Sequence, residues 1–402
     1  MSTLHFTPDR CFSLVRSLVC DEARRLRRRS DPFLEELGLG WESQLRQPPF
    51  ELTPEELASV CARVARFFCC ESLEPESLSA LPRLGDWAER VASGWGRAPM
   101  AVGFSTSGSL GNPKPVRHEL WLLIQDARAT VEAFASRGKT IGRVVGLVPP
   151  HHIYGFIHTA LLPLLFGLDC VDLRGRPPAA LAEALRPGDL LVGAPFHWKG
   201  LAQSHVRLPG VLLLSSGAAC PPEPLSLLET RGVEAWVELY GSTECAAMGF
   251  RTSVGEPMTL CPLWERVEQD GFARRRPDGG LTPAFHFQDR LEWVDEKRFF
   301  VGGRRDEAVQ IGGVNVFPAL VERCLANHPL VAACVVRPMR PEEGDRLKAF
   351  VVPKDSRIPT LELRRELRDY LSQRVQPLEL PRAFCFGEAL PRSIMGKPMD
   401  WA

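Results

Sequence analysis

Residues Ser105 to Val116 read STSGSLGNPKPV. Three hydroxyl residues (Ser105, Thr106, Ser107) lead into Gly108, Ser109, Leu110 and Gly111, and Lys114 follows. Glycines let backbone N–H groups converge on one point and hydroxyls add donors, so such a stretch forms a nest for phosphate oxygens. Lys114 supplies a full positive charge at its far end. No Gly-Lys-Ser/Thr closes the stretch, which excludes a Walker-type loop. Alone, a Gly/Ser-rich run reads equally as a plain turn. Three further clusters lie downstream: His151-His152-Ile153-Tyr154-Gly155-Phe156 with His158 beyond it, Ser215-Ser216-Gly217-Ala218-Ala219, and Val237 to Glu244. In the last, Tyr240 offers a stacking face, Thr243 a donor for a phosphate oxygen, and Glu244 an oxygen ligand for Mg²⁺. Taken singly, each cluster also reads as core aromatics, a satisfied histidine or an ordinary turn.

The elements that must carry these residues follow from periodicity. Ala101 to Phe104 reads as a buried strand before the glycine stretch, and Glu119 to Ala135 as a helix after it. Val144 to Pro149, Asp189 to Val192 and Val211 to Leu214 read as further buried strands, with an apolar helix over Phe156 to Leu168. Repeated strand–helix units argue for a mostly parallel α/β sheet. Pockets open at the C-terminal ends of parallel strands, where the histidine–tyrosine cluster falls. Residues 1 to about 95 read as mostly helical: Cys11, Leu14, Val15, Leu18 and Val19 recur at helical spacing. Thr53-Pro54-Glu55-Glu56 is a capping box with proline at the first helical position. The arginines of Arg24 to Arg29 read as a solvated face.

Composition narrows the class. With 402 residues, the chain can hold two or three domains with substantial cores. Its 49 basic and 49 acidic side chains leave no electrostatic case for nucleic acid or an anionic membrane surface. Twelve cysteines without C-x-x-C spacing read as small buried hydrophobes in a reducing compartment. No apolar run is long enough for a signal peptide or a membrane span, and a cytoplasmic protein is expected.

In their order, these pieces resemble the successive motifs of the adenylate-forming superfamily of acyl- and aryl-CoA synthetases. STSGSLGNPK, HHIYGF, SSGAA and ELYGSTE are followed by Phe287-Gln288-Asp289 in the place of the family's Thr-Gly-Asp. GGRRDEAVQIGGVNVFPALVE resembles the hinge segment and LPRSIMGK the C-terminal lysine motif. The resemblance covers about residues 100 to 400, and HIYG followed by SGAA gives it a 4-coumarate–CoA-ligase-like flavour. It implies an α/β fold: a large N-terminal adenylate-forming domain over 1–303, helical and compact over 1–95, with mostly parallel sheets, and a small mobile α+β lid over 304–402.

The resemblance also implies roles. Thr106, Ser107, Gly108, Ser109 and Lys114 would hold the ATP triphosphate. Ser216, Gly217, Ala218, Ala219, Tyr240 and Gly241 would frame the adenine. Glu244 would bind Mg²⁺, Thr243 would touch the α-phosphate, and Asp289 with Arg304 would hold the ribose. Asp306 takes the hinge position. Lys397 would bridge the substrate carboxylate and the α-phosphate during adenylation, in which two negative groups must approach and placed cations and donors are needed. His152, Tyr154, His158 and Ala218 would line the acid pocket, whose rings favour an aromatic acid. The thiol acceptor that the resemblance implies would be CoA or the phosphopantetheine of a carrier protein.

The chain departs from the pattern at Leu110, where a hydroxyl is usual, at Gln288, at Gln310 in place of lysine and at Asn315 in place of glutamine. Phe250 to Pro283 replaces a longer region. Two other readings stay open: a nucleotide phosphohydrolase, and a non-catalytic scaffold that binds adenylate or carrier protein. Leu110 and Gln310 favour the scaffold, while the intact Lys397 and Glu244 oppose it. Arg364, Arg365 and Lys348 read as solvated residues, with a CoA phosphate or an acidic carrier protein as the alternative.

Overall fold

The computed structural model describes residues 4–27, 39–47, 50–70, 73–97, 101–105, 114–268, 271–287, 289–304 (side chains to 302), 308–312, 314–355, 357–391 and 401. The chain divides into two compact units, with the main division after Val301. Among the described residues no helix is long and apolar enough to cross a membrane.

The first unit is built on a nine-stranded sheet. Its parallel part runs β4 (Asp169–Asp172), β3 (Arg143–Gly146), β5 (Asp189–Gly193), β6 (Val211–Ser215) and β7 (Val233–Ser242) in spatial order. The pattern of burial explains the sequence of these strands. Val144, Leu190, Val192, Leu212 and Leu214 belong to one apolar cluster, whereas Val145, Leu191, Val211 and Leu213 belong to another. Both faces of the sheet are therefore covered, which is why its strands read as continuous apolar runs rather than as alternations. One cover comes from α1 (Pro8–Leu26), α2 (Pro54–Phe68), α3 (Pro75–Ser79), α4 (Leu84–Gly94) and α5 (Leu120–Ala135). The other comes from α6 (Pro178–Ala184), α7 (Pro195–Gln203) and α8 (Pro222–Glu229).

Local sequence accounts for the elements. Cys11, Leu14, Val15, Leu18 and Val19 of α1 are fully buried. Thr53 Oγ1 accepts from Glu56 N at 3.2 Å, and Glu56 Oε2 accepts from Thr53 N at 3.0 Å, the reciprocal pair of a capping box. The strand expected at Ala101 to Phe104 is β1 (Ala101–Ser105), but it stands outside the main sheet. It pairs antiparallel with β2 (Pro115–Glu119), so a strand intervenes before the expected helix, which begins at Leu120. The buried run after β3 starts as a short helix at Ile153–Gly155, passes through a π-helical stretch at Phe156–Leu161, and returns to α-helix at Leu162–Phe166.

Beyond β7 the sheet turns antiparallel through β8 (Ala246–Arg251) and β9 (Met258–Leu260). A separate three-stranded sheet comprises β10 (Trp264–Arg266), β11 (Gly271–Arg274) and β12 (Phe285–His286). The edge of the large sheet is formed by β13 (Asp289–Trp293) and β14 (Arg298–Arg304).

The second unit has its own core. Two strands, β15 (Val309–Ile311) and β16 (Val314–Val316), form a hairpin in which Gln310 faces Asn315, so two of the departures from the family pattern sit opposite each other. A three-stranded sheet follows, with β17 (Val331–Pro338) antiparallel to β18 (Leu347–Pro353) and β19 (Ala383–Phe386) parallel to it. Val321 and Leu325 of α9 (Pro318–Ala326) and Leu363, Leu367 and Leu371 of α10 (Thr360–Ser372) close over this sheet.

Candidate nucleotide and acid site

Three of the sequence clusters leave the parallel sheet at one edge. His152 to His158 follow β3, Ser216 to Ala219 follow β6, and Tyr240 to Glu244 end β7 and enter the next turn. In a parallel sheet these are C-terminal strand ends, where ligands bind because the loops diverge there.

Backbone and buried side chains fix the segments to one another. Tyr154 Oη donates to the Leu214 carbonyl at 2.5 Å, which carries the β3 segment across to β6. Ser216 Oγ donates to the Leu239 carbonyl at 3.1 Å. Glu238, buried in β7, accepts from Cys220 N at 3.0 Å and from Arg251 Nε at 2.8 Å, which holds the end of the Ser216–Ala219 run beside β7. Gly217 has φ +93, in the left-handed region that glycine enters freely. At Gly241 a Cβ would fall 1.9 Å from the Ala246 carbonyl oxygen, so only glycine lets the β7–β8 turn close.

The turn that carries Thr243 and Glu244 is braced from below. His118 Nε2 donates to the Thr243 carbonyl at 2.6 Å. Burial lowers the His118 pKa, and this bond opposes that shift. Beneath it, Asp126 of α5 accepts from Ala247 N at 2.9 Å and from Arg274 at 2.6 Å. Burial pushes the Asp126 carboxyl upward while Arg274 opposes that shift. These braces left little trace in the sequence, apart from Asp126 standing inside the apolar run LWLLIQDARATV.

Side chains differ in what they present. Glu244 is exposed, and Tyr240 is half-buried with its ring 6.1 Å from that of Phe287 and 5.8 Å from that of Phe299. Gly217 and Ala219 are exposed, and Ala218 is half-buried. His158 is fully buried. Its Nε2 meets Thr130 Oγ1 at 3.0 Å and its Nδ1 donates to the Tyr154 carbonyl at 2.8 Å, so the histidine orients Tyr154 and offers no free nitrogen. His152 keeps an edge open to solvent, and crowding by protein together with the His151 ring 4.5 Å away lowers its pKa.

Other predicted residues fall elsewhere. Lys114 is exposed ahead of β2. Asp289 opens β13 and Arg304 closes β14. Thr106, Ser107, Gly108, Ser109, Leu110, Gln288, Asp306 and Lys397 lie outside the described residues. In the second unit, Lys348 is not solvated as expected. It is buried on β18 and paired with Glu343 at 2.8 Å, because its ammonium lies beside a carboxylate that Arg337 also holds. A cavity of about 200 Å³ opens after β3, β4 and β5, lined by Leu173, Arg174, Phe196 and His197 among others, and none of the predicted site residues lines it.

The expected mostly parallel sheet is parallel only across its five strands β4, β3, β5, β6 and β7, because the chain beyond β7 returns through short hairpin-like connections that pair antiparallel. That parallel part, with adjacent small-residue and Tyr-Gly-Ser-Thr-Glu segments at its C-terminal ends, and a small α+β unit later in the chain suit a nucleotide-dependent ligase. The chain matches the model of the AMP-binding enzyme family over residues 69–272 and that of the AMP-binding enzyme C-terminal domain over residues 320–397. It belongs to the AMP-binding enzyme family. It is similar to a 4-coumarate–CoA ligase of Halorhodospira halophila, with 35% identity over 391 residues that span 97% of this chain and 98% of the relative. A 4-coumarate–CoA ligase of Rhodobacter capsulatus is also 35% identical, over 96% of this chain and 99% of that protein. Among solved structures, an amide bond synthetase from Marinactinospora thermotolerans shares the fold with a TM-score of 0.59 and 22% identity, over 74% of this chain and 67% of that one. The chain is thus an AMP-forming acid–thiol ligase, which activates a carboxylic acid with ATP as an acyl-adenylate before a thiol takes the acyl group.

Proposed function

We propose that the acid is aromatic and that the acceptor thiol is CoA, with a carrier-protein phosphopantetheine as the alternative acceptor. One observation carries the reading: Tyr154, whose hydroxyl is tied to the Leu214 carbonyl, turns the ring-bearing β3 segment toward the Ser216–Ala219 run. A pocket walled by His152, Tyr154 and Ala218, with the fully buried His158 behind Tyr154 and not on its wall, would suit a flat ring better than an alkyl chain. The relatives named 4-coumarate–CoA ligases support both the ring and the CoA acceptor.

In this reading Thr106, Ser107, Gly108, Ser109 and Lys114 hold the triphosphate. Ser216, Gly217, Ala218, Ala219, Tyr240 and Gly241 frame the adenine, and Asp289 with Arg304 takes the ribose. The acid's carboxylate oxygen attacks the α-phosphorus, the bond to the bridging oxygen breaks, and pyrophosphate leaves with that electron pair. Thr243 donates to the α-phosphate, and Lys397 neutralises the approaching carboxylate. Placed donors and cations lower the barrier because they act where negative charge develops. Glu244 would hold Mg²⁺, which neutralises phosphate charge when bound. One exposed carboxylate fits that ion, since Mg²⁺ is bound through one or two carboxylates plus substrate phosphates. The lid spans 304–402 and turns about Asp306, so that Lys397 withdraws and the thiol enters. Twelve free cysteines support a reducing, cytoplasmic setting.

Pyrophosphate release by the purified protein, measured against aromatic and fatty acids with hydroxylamine to trap adenylates, tests the reading. Release that requires an aromatic acid and collapses in Lys397→Ala is expected, followed by thioester formation with CoA. Release that ignores both acid and lysine would point to a phosphohydrolase. Tight adenylate binding without turnover would point to a scaffold.

A further inference from the structure

The segment that carries His152 is pinned on both sides. On the far side, Tyr154 Oη is bonded to the Leu214 carbonyl at 2.5 Å. On the near side, His151 is buried against α1, where Ser17 and Asp21 stand one helical turn apart on the same face. Ser17 Oγ meets His151 Nδ1 at 2.8 Å, and an Asp21 carboxylate oxygen lies 3.4 Å from Nε2. Both nitrogens of one imidazole therefore face groups on one helix. Asp21 in turn faces Arg63 of α2 at 3.6 Å. Burial raises the Asp21 carboxyl, but His151, His152 and Arg63 together outweigh it and hold the group well below the usual carboxylate range.

Around this cluster the contact face of α1 is apolar, with Leu14, Val15 and Leu18 fully buried. A hydroxyl, a carboxylate and an imidazole set among such residues lose hydration that apolar side chains of the same shape would not. What they add is direction, because a hydrogen bond accepts a narrow range of geometries where an apolar contact accepts many. His152 takes up that direction. Its N–H donates to the Pro149 carbonyl at 3.2 Å and its carbonyl accepts from Phe156 N at 2.7 Å, so its backbone is fixed on both sides. Its ring lies 4.5 Å from that of His151, at 38°, and keeps an exposed edge.

We propose that Ser17 and Asp21 are positioning residues for His152. By holding both nitrogens of His151 they set the backbone and the ring against which His152 packs, and so the angle at which its exposed edge meets the acid. The helical N-terminal part thereby takes part in choosing the acid. This rests on the reading of His152, Tyr154 and Ala218 as walls of the acid pocket. The effect of the pair falls on the acid rather than on ATP.

Acid-dependent ATP–pyrophosphate exchange, with acid and ATP varied in turn, tests this in Ser17→Ala, Asp21→Asn, His152→Ala and the Ser17→Ala/His152→Ala pair. Ser59→Ala is the comparison, since it removes a 2.6 Å bond from α2 to Glu22 of α1 that does not involve His151. Ser17→Ala is expected to raise KM for an aromatic acid about fivefold, the effect of losing one hydrogen bond, with KM for ATP unchanged. Asp21→Asn should move the acid KM in the same direction, and Ser59→Ala should leave both constants as they are. The double variant should match His152→Ala, because residues that act through one group are not additive. The preference for an aromatic over an alkyl acid should shrink in step. An unchanged acid KM in both Ser17→Ala and Asp21→Asn would overturn the proposal. So would an equal rise in both KM values, which marks a general loosening of the fold, and so would full additivity with His152→Ala. If His152→Ala itself leaves the acid KM unchanged, the reading of the acid pocket falls, and the positioning role with it. If the protein instead prefers an alkyl acid, and Ser17→Ala and His152→Ala raise its KM without adding, the positioning role stands and the aromatic class alone is lost.

Discussion

Asp126 and Arg274 meet at 2.6 Å with only 2% of either side chain exposed, and the other Asp126 oxygen accepts from Ala247 N in the strand just after the Thr243–Glu244 turn. The pair therefore links α5, β11 and the turn that carries the expected phosphate and metal contacts. Breaking it by removing one partner strands the other as a buried charge, which costs about 3–5 kcal/mol. Asp126→Ala or Arg274→Met should lower stability by that amount in urea unfolding. Asp126→Leu combined with Arg274→Met should recover much of it, because no charge is then left unpaired.

His118 supports the same turn through a single bond to the Thr243 carbonyl. His118→Phe keeps the ring volume and removes the donor, so the expected effect is on position more than on folding. Loss of one such bond costs about 1 kcal/mol. The kcat/KM for ATP should fall severalfold while KM for the acid changes little, as steady-state kinetics with each substrate varied will report.

Gly241→Ala tests the close approach of β7 and β8. The added methyl would meet the Ala246 carbonyl oxygen at 1.9 Å, a contact that forces the backbone apart. Overpacking of this kind costs about 1–3 kcal/mol. A drop in the urea midpoint with an accompanying loss of ATP binding is expected.

Burial lowers the His158 pKa to about 4, below the ordinary value of 6.5. Below pH 6.5 the unfolded chain takes up a proton that the folded chain refuses, so the contribution to stability is whole above pH 6.5 and is lost as pH falls toward 4. For this fully buried ring the loss reaches about 3 kcal/mol at pH 4. His118, also buried, is shifted in the same direction and adds to it. Urea unfolding between pH 7.5 and 4.5 should show falling stability, and His158→Gln should flatten the slope.

Much of this was legible in the chain because the signals were local. The capping box at Thr53, the apolar strands of the parallel sheet and the order of the motifs each depend on neighbours in sequence. What escaped was non-local. Glu343 stands only five residues before Lys348, but its spacing does not announce the β17–β18 pairing that brings it and Arg337 around the ammonium, so Lys348 read as solvated. The hairpin of β1 and β2 was hidden because Pro115 to Glu119 carries charged residues on an edge exposed for most of its length. His158 read as a pocket residue on the strength of its position, and only the structure reveals that Thr130 and Tyr154 occupy both its nitrogens. The brace of Asp126, Arg274 and His118 joins residues more than a hundred positions apart.

The bond from Tyr154 to Leu214 ends on a main-chain carbonyl. Its geometry is therefore indifferent to which side chain stands at 214, and the β3 segment is separated from β6 by β5 in the sheet. In the proposed roles, where Ala218 serves acid and adenine alike, the acid side can thus vary in the β3 segment without disturbing the Ser216–Ala219 run. Such a division lets one scaffold diversify its choice of acid by drift in a single loop while the energy-supplying half of the reaction is inherited unchanged.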